Sequence, residues 1–321
     1  MQALQFAHTG DLAALQLVEV TQPTPSADEV LVQVRAAGLN PSDVKNVLGR
    51  FPYTTLPRIP GRDFAGVVVD GPSALLGTSV WGTGKGLGFN RNGSHAAYLT
   101  LPAEGVALLP EQLSFSQAAA LGVPYTTAWD ALQRCQVAQG TRLLIIGAAG
   151  AVGSAAIALG KALGADVLAA VRKPEQVLRL RDSGTPTLLL EQADQLATQV
   201  QAHFPGGADV IFDTTGFWLP AVVPALADFG RIAIIAAPVD GHVHLPALAL
   251  YRRGGVVVGV NSLLYDTVQC ARMLEAFGQF FAQGRLPLPS GLREVPLSEG
   301  LSSYAEVNAG SQDKIVFIPS H

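Results

Sequence analysis

The stretch Leu143–Gly160, LLIIGAAGAVGSAAIALG, constrains the fold more than any other part of this chain. It holds no charged residue and lies between Arg142 and Lys161. An uncharged run of this length admits a membrane span. It equally admits a buried strand, a glycine turn and a helix. Its residues favour the second reading. Glycine and alanine leave few large apolar side chains, and neither an aromatic belt nor a basic cluster flanks the run. In the strand–turn–helix reading, Gly147–Gly153, GAAGAVG, forms the turn. Set against G-x-G-x-x-G it reads A-x-G-x-x-G, with Ala148 in place of the first glycine. Gly150 would let the backbone approach a pyrophosphate, and Gly153 would let the helix pack close to its strand. The helix N-terminus then offers N–H groups to phosphates. Ala149, Gly150, Ala151, Val152 and Gly153 are therefore the expected dinucleotide contacts.

The setting of this motif strengthens it. Upstream, Glu29–Ala36 alternates polar and apolar residues as a half-buried strand does, Phe64–Val69 and Ser94–Leu101 read as further strands, and Gly82–Gly93 is glycine-rich loop. Ser114-x-x-Gln117 predicts a capped helix, and Thr126–Arg134 a second one after Pro124. From Arg142 onward short apolar strands alternate with helices, ending in the strand Gly255–Val260. That alternation predicts an α/β domain built on a doubly wound parallel sheet covered on both faces. A long helix is expected over Thr267–Gln283, and the tail from Leu286 to Pro319 reads as short strands and turns.

The second strand of the α/β region, DVLAAV, runs into Arg172 and Lys173. A fold that binds NAD places a carboxylate there to hold the ribose 2′-hydroxyl. Two cations suit a 2′-phosphate instead, which points to NADPH. The alternative is a solvated pair of charges at a helix entrance.

Composition narrows the classes. The chain of 321 residues is 49% hydrophobic, 14% charged and carries a net charge of −4. With no basic block, a nucleic-acid groove is not expected. Two cysteines, Cys135 and Cys270, make neither a disulfide framework nor a four-thiolate zinc site. The first residues lack the basic head and apolar core of a secretory signal, so a cytoplasmic setting without a membrane partner is expected. The sequon Asn92-Gly93-Ser94 then has no consequence.

Several blocks, in order along nearly the whole chain, resemble one known family. They are AAGLNPSDVKNVLG (36–49), LPRIPGRDFAGVVV (56–69), GSHAAYLTLPA (93–103), PYTTAWDAL (124–132), GAAGAVGS (147–154), FDTTG (212–216) and GRIAIIA (230–236). Together they are similar to the medium-chain dehydrogenase/reductase superfamily, in its zinc-free quinone oxidoreductase branch. The resemblance implies a GroES-like, mostly β catalytic domain over residues 1–116, completed by 264–321, and a Rossmann domain over 117–263. It also implies hydride transfer between a nicotinamide cofactor and a carbonyl or conjugated alkene.

Departures from the pattern matter as much. Zinc-dependent relatives carry cysteine where Asn40 stands and Gly-His-Glu where this chain has Gly61-Arg62-Asp63. Asparagine and arginine are poor zinc ligands, so no metal is expected. His242 and His244 lack a third ligand in the sequence and read as surface residues. Related reductases have a tyrosine two residues after the glycine matching Gly49; here Phe51 stands there and Tyr53 is the nearest phenol. Tyr53 is an expected donor to a carbonyl oxygen or enolate, its alternative being a loop tyrosine. The resemblance sets Asn40 and Thr127 near the nicotinamide; otherwise Asn40 is a turn residue and Thr127 starts a helix. Asp43 and Lys45 read as a structural ion pair.

These readings converge on an NADPH-dependent, zinc-independent reductase of a quinone or α,β-unsaturated carbonyl, acting on a small hydrophobic substrate. The rival is a non-catalytic NADPH-binding sensor. A short-chain dehydrogenase is disfavoured because no Tyr-x-x-x-Lys pair occurs. The apolar strand Gly255–Val260 at a sheet edge would invite homodimer formation.

Overall fold

The alternating pattern of Glu29–Ala36 forms the strand the sequence predicts and continues to Gly38. It does so in a computed structural model that describes residues 1–311 and 313–320. Val30, Val32 and Val34 have no exposed surface, so one face of this strand lies wholly in a core. Met1–Thr126 and the chain from Ser262 onward form one contact unit, and Thr127–Asn261 the other.

The first unit opens with an antiparallel pair, β1 (Gln2–Phe6) and β2 (Leu15–Glu19). Then come β3 (Glu29–Gly38), α1 (Pro41–Val47), β4 (Asp63–Asp70), β5 (Ser79–Gly82), β6 (Tyr98–Pro102) and β7 (Ala107–Leu108). The short helix α2 (Phe115–Ala119) starts on the predicted box: Gln117 N–H donates to Ser114 Oγ, and Ser114 N–H to Gln117 Oε1. Helix α3 (Gly122–Arg134) starts before Thr126, where the sequence puts it. Pro124 lies in its first turn, where no intrahelical bond is lost. The unit boundary falls at Thr126/Thr127, within α3, rather than at 116/117. Residues 117–126 stay with the first unit because α2 packs on β3 and β4, and because Val123 N–H donates to the Asp63 carboxylate.

The second unit contains β8 (Arg142–Ile146), α4 (Ala151–Ala162), β9 (Asp166–Val171), α5 (Pro174–Asp182), β10 (Thr187–Leu189), α6 (Leu196–His203) and β11 (Ala208–Asp213). It ends with α7 (Leu219–Val222), β12 (Leu226–Ile234), α8 (Ala247–Arg252) and β13 (Val256–Gly259). Its six strands are parallel, in the order β10-β9-β8-β11-β12-β13. Leu143, Leu144, Ile145 and Ile146 all have no exposed surface, as a strand covered on both faces requires. The strand order reverses between β8 and β11, and such a switch point opens a crevice at the carboxyl ends of the strands. Strand β12 starts at Leu226, so Asp228-Phe229-Gly230 lies within it.

The chain then returns to the first unit as α9 (Thr267–Ala282), β14 (Leu292–Pro296), α10 (Gly300–Asn308) and β15 (Lys314–Ile318). Helix α10 stands where the sequence suggested only strands and turns. Its Gly300, Ser303 and Tyr304 are buried, so tertiary packing supports a segment with weak helix patterning. The larger sheet runs β14-β15-β3-β4-β5-β7, with β6 also on β3. No helix among the described residues is long and apolar enough to cross a membrane.

Tyr304 of α10 and His95 are both fully buried. His95 Nε2 lies 3.2 Å from Gly38 O, which only accepts, so Nε2 carries the proton. Nδ1 therefore accepts from Tyr304 Oη at 2.8 Å. Burial pushes the imidazole down from 6.5 to about 4. The neutral ring thus contributes stability that is present above pH 6.5 and is lost as pH falls through about 4. A His95→Gln variant should be less stable at pH 7 by about 1–3 kcal/mol. In urea titrations its deficit should shrink steadily as pH falls from 6.5 towards 4. A deficit independent of pH would contradict the assignment.

Candidate functional site

Two constellations carry chemistry, one in each unit. In the second, the loop after β8 turns at Gly147, which has φ +75°. A Cβ there would also come within 2.4 Å of Thr214 Oγ1. Gly147, not position 148, therefore does the work of the motif's first glycine, and Ala148 is packed with no exposed surface. Gly153 is required by contact, since a Cβ would meet Gly147 O at 2.4 Å and Ala148 Cα at 2.7 Å. Gly150 is different: a Cβ would find only Gly147 O within 4 Å, at 3.4 Å. The protein itself leaves room beside it. Gly150 is the N-cap of α4 and no side chain caps that helix. Its first N–H groups lack intrahelical acceptors, beside the partly or fully exposed Ala149, Ala151 and Val152.

Strand pairing brings a second rim to this loop. Asp213 of β11 lies opposite Ile146 of β8. Its buried carboxylate accepts from Thr215 N–H at 2.8 Å, Thr215 Oγ1 at 2.7 Å, Gly216 N–H at 3.1 Å and Trp218 N–H at 3.1 Å. Thr214 Oγ1 donates to Ile146 O at 2.8 Å. In the sequence, Phe212–Gly216 stands out only through its family resemblance. Its signal was an Asp-Thr-Thr-Gly run at the end of a parallel strand. At the end of β9, Arg172 and Lys173 are exposed, and neither side chain bonds to another described residue. An uncapped helix N-terminus, a loop of small residues and two free cations fit a phosphorylated dinucleotide. Thr127 does not start α3 but lies inside it, 6% exposed.

The first unit holds a buried polar chain. Asn40, between β3 and α1, is 2% exposed. Its Oδ1 accepts from Lys314 Nζ at 2.9 Å, and its Nδ2 donates to Asp63 Oδ2 at 2.8 Å. Asp63, with no exposed surface, also accepts from Val123 N–H at 2.9 and 3.0 Å. The cation on one side and the carboxylate on the other fix which way the Asn40 amide faces. One Nδ2 proton remains uncommitted. Asn40 is thus more than a turn residue, although its backbone N–H also donates to Asp43 Oδ2 at 2.9 Å.

The expected ion pair of Asp43 with Lys45 does not form. Positions two apart on α1 point different ways: Asp43 is buried and Lys45 exposed. Burial pushes Asp43 up to about 6, against the pull of Arg62. Burial likewise lowers Lys314, against the neighbouring Asp63 and Asp43.

Tyr53 is 50% exposed, in a turn after α1. Its ring packs with Phe51 and Phe89 at centroid distances of 5.8 and 5.6 Å, and Phe51 meets Phe89 edge-on at 5.1 Å. The turn is held by Thr54 Oγ1 donating to Asn46 Oδ1 at 2.6 Å and by Asn46 Nδ2 donating to Gly88 O at 2.6 Å. The Tyr53 hydroxyl has no bonded partner among the described residues. Desolvation raises its pKa, with Arg62 pulling the other way, so it is a protonated phenol at neutral pH. The two thiols are not nucleophiles: burial pushes Cys135 up to about 11 and Cys270 up to about 12.

If Lys314 locks the amide, Lys314→Met leaves Asn40 Oδ1 unpaired in a buried site. The midpoint of urea unfolding should then fall, by about 1–3 kcal/mol of stability. An unchanged midpoint would show that the Nζ–Oδ1 bond contributes nothing.

Comparisons with known proteins cover both parts of the chain. Residues 26–111 match the alcohol dehydrogenase GroES-like domain, and residues 151–277 match the zinc-binding dehydrogenase family. A zinc-type alcohol dehydrogenase-like protein of Schizosaccharomyces pombe is 34% identical over 316 residues, covering 95% of this chain and 93% of that protein. A 2-methylene-furan-3-one reductase of Solanum lycopersicum is 34% identical over 253 residues, covering 74% of this chain and 63% of the reductase. Among solved structures, a quinone oxidoreductase of Pseudomonas syringae superposes with a TM-score of 0.86 at 25% identity, covering 99% of both chains. The donor set around Asn40 does not fit the zinc of the second family's description. Arg62 and Lys314 bring positive charge to it, and no group of three His, Cys, Asp or Glu among the described residues could hold a metal ion. His242 and His244 are exposed. With both domains matched in order and 95% of it covered by a relative 34% identical, this chain belongs to the medium-chain dehydrogenase/reductase superfamily, a family of nicotinamide-dependent oxidoreductases.

Proposed function

We propose that this protein is an NADPH-dependent, zinc-independent reductase of α,β-unsaturated carbonyls or quinones. The observation that carries the reading is the donor set of the first unit. Asn40 offers an N–H, Tyr53 an unpartnered O–H, and the cations Arg62 and Lys314 stand among the carboxylates Asp43 and Asp63. Such a set polarises a carbonyl oxygen through hydrogen bonds. The substrate named for the tomato relative carries a conjugated ketone, and the structural relative is named for quinones. Both are consistent with a flat, apolar substrate against Phe51 and Tyr53, whose rings pack on the buried Phe89.

The bound reduced dinucleotide would supply the hydride. Gly150, Ala151, Val152 and Gly153 would hold its pyrophosphate, and Arg172 with Lys173 its 2′-phosphate. Asn40, locked by Lys314 and Asp63, orients the reacting partners with its remaining N–H. Tyr53, protonated at neutral pH, delivers a proton to the product. The exposed edge strand β13 supports a homodimer, with Val256 45% exposed. Two buried free cysteines agree with a cytoplasmic setting.

Turnover tests the reading directly. NADPH oxidation should appear with members of a panel of enones, enals and quinones. Tight NADPH binding without turnover across the panel would favour a sensor. Replacing Arg172 and Lys173 with alanine should raise the Kd of NADPH by about 10- to 100-fold, as expected for lost charge-assisted bonds. NADH binding should change little, and equal losses for both cofactors would overturn the 2′-phosphate assignment. Tyr53→Phe should lower kcat on enones by about 100-fold. Full turnover of that variant on every active substrate would remove Tyr53 from the proton step.

A further inference from the structure

Arg62 is a charged side chain that the scheme above leaves without a task. It precedes β4 and is 3% exposed. A buried guanidinium is costly unless it is paired and its donors are bonded. This one has no carboxylate bonded to it, and only one of its nitrogens has a partner. Nη2 donates to Ser42 Oγ at 2.7 Å. Nε is enclosed and has no partner among the described residues. Nη1 is also unbonded but, unlike Nε, is not enclosed, so a ligand atom can reach the guanidinium from that side.

The nearby carboxylates do not relieve it. Asp43 and Arg62 feel each other's charge, yet no salt bridge joins Arg62 to any described carboxylate. Asp43 accepts from the Asn40 backbone, and Asp63 accepts from Asn40 Nδ2 and Val123 N–H. Their bonds go elsewhere and leave the guanidinium donors available. Arg62 also lies 5.8 Å from the centre of the Phe89 ring, and its charge reaches Tyr53. A cation with spare donors thus adjoins an aromatic platform that carries a free phenol.

We propose that Arg62 binds the carbonyl oxygen of a flat conjugated aldehyde, ketone or quinone, and that its free N–H groups hold the negative charge that grows on that oxygen during reduction. The proposal rests on the reductase reading. As hydride and its electron pair reach the β-carbon, the C=C electrons move to form the C–C=C–O⁻ enolate, whose oxygen Arg62 holds. Tyr53 or water then protonates the α-carbon, the carbonyl re-forms, and the dinucleotide leaves oxidised. The fixed cation supplies the stabilisation of that oxygen in a site with low dielectric.

The test uses the full-length protein with Arg62→Gln and Arg62→Lys. In the binding arm, 4-nitrophenolate serves as the enolate mimic with NADP⁺ present. The wild type should bind it saturably, Arg62→Gln at least about tenfold more weakly, and Arg62→Lys in between. Failure of the wild type to bind it, or equal binding by all three, overturns the proposal even if the enzyme turns over. In the kinetic arm, Arg62→Gln should lower kcat on an enone by about 100-fold or more while the Kd of NADPH stays unchanged. If Arg62 serves only the fold, both variants lose Tm and keep kcat per folded molecule, which also overturns it. Absence of wild-type turnover on the whole panel defeats the reductase reading instead, and the phenolate arm still decides whether Arg62 forms an oxygen site.

Discussion

A carboxylate with no exposed surface ties the first unit together. Asp63, at the start of β4, accepts from the side chain of Asn40 and from the first turn of α3. A buried charge is tolerated only when its lone pairs are used. The entry to α1, the start of β4 and the start of α3 are therefore held in one arrangement, and Lys314 of β15 closes it from the far end of the chain. The same bonds that satisfy Asp63 determine how Asn40 presents its amide. Stability and the geometry of the site are one network here.

This network also shapes the electrostatics. Two carboxylates, Asp43 and Asp63, share the interior with Arg62 and Lys314. The formal charges balance, which removes much of the cost of burying them. The balance is achieved without close pairing, because the carboxylates bond to amides and backbone N–H groups. What results is an interior that keeps N–H donors available on Asn40 and Arg62. Under the proposed reading, a carbonyl oxygen that gains electrons would meet these donors.

Much of the second unit was legible in the sequence because its signals are local. Strand, glycine turn and helix follow one another within Leu143–Gly160, and β13 lies at the edge where the pattern put it. The details that failed depend on how the turn packs. Gly147 adopts the left-handed conformation, whereas alignment to the motif drew attention to Ala148. Thr214 and Thr215 join the loop only because β11 pairs with β8 across the switch point. The first unit hides its chemistry better. Asn40 and Lys314 are separated by 274 positions and meet because β15 pairs with β3. Asp43 and Lys45 are close in sequence and point apart on a helix. No pattern of residue types alone distinguishes those two cases.

The central claim is that hydride passes from the nicotinamide to the β-carbon of a conjugated carbonyl. Turnover of an enone with NADPH deuterated at C4, followed by NMR of the product, tests it most directly. The account predicts one deuterium at the β-carbon and a solvent-derived proton at the α-carbon. Deuterium at the carbonyl carbon, giving an allylic alcohol, would contradict it.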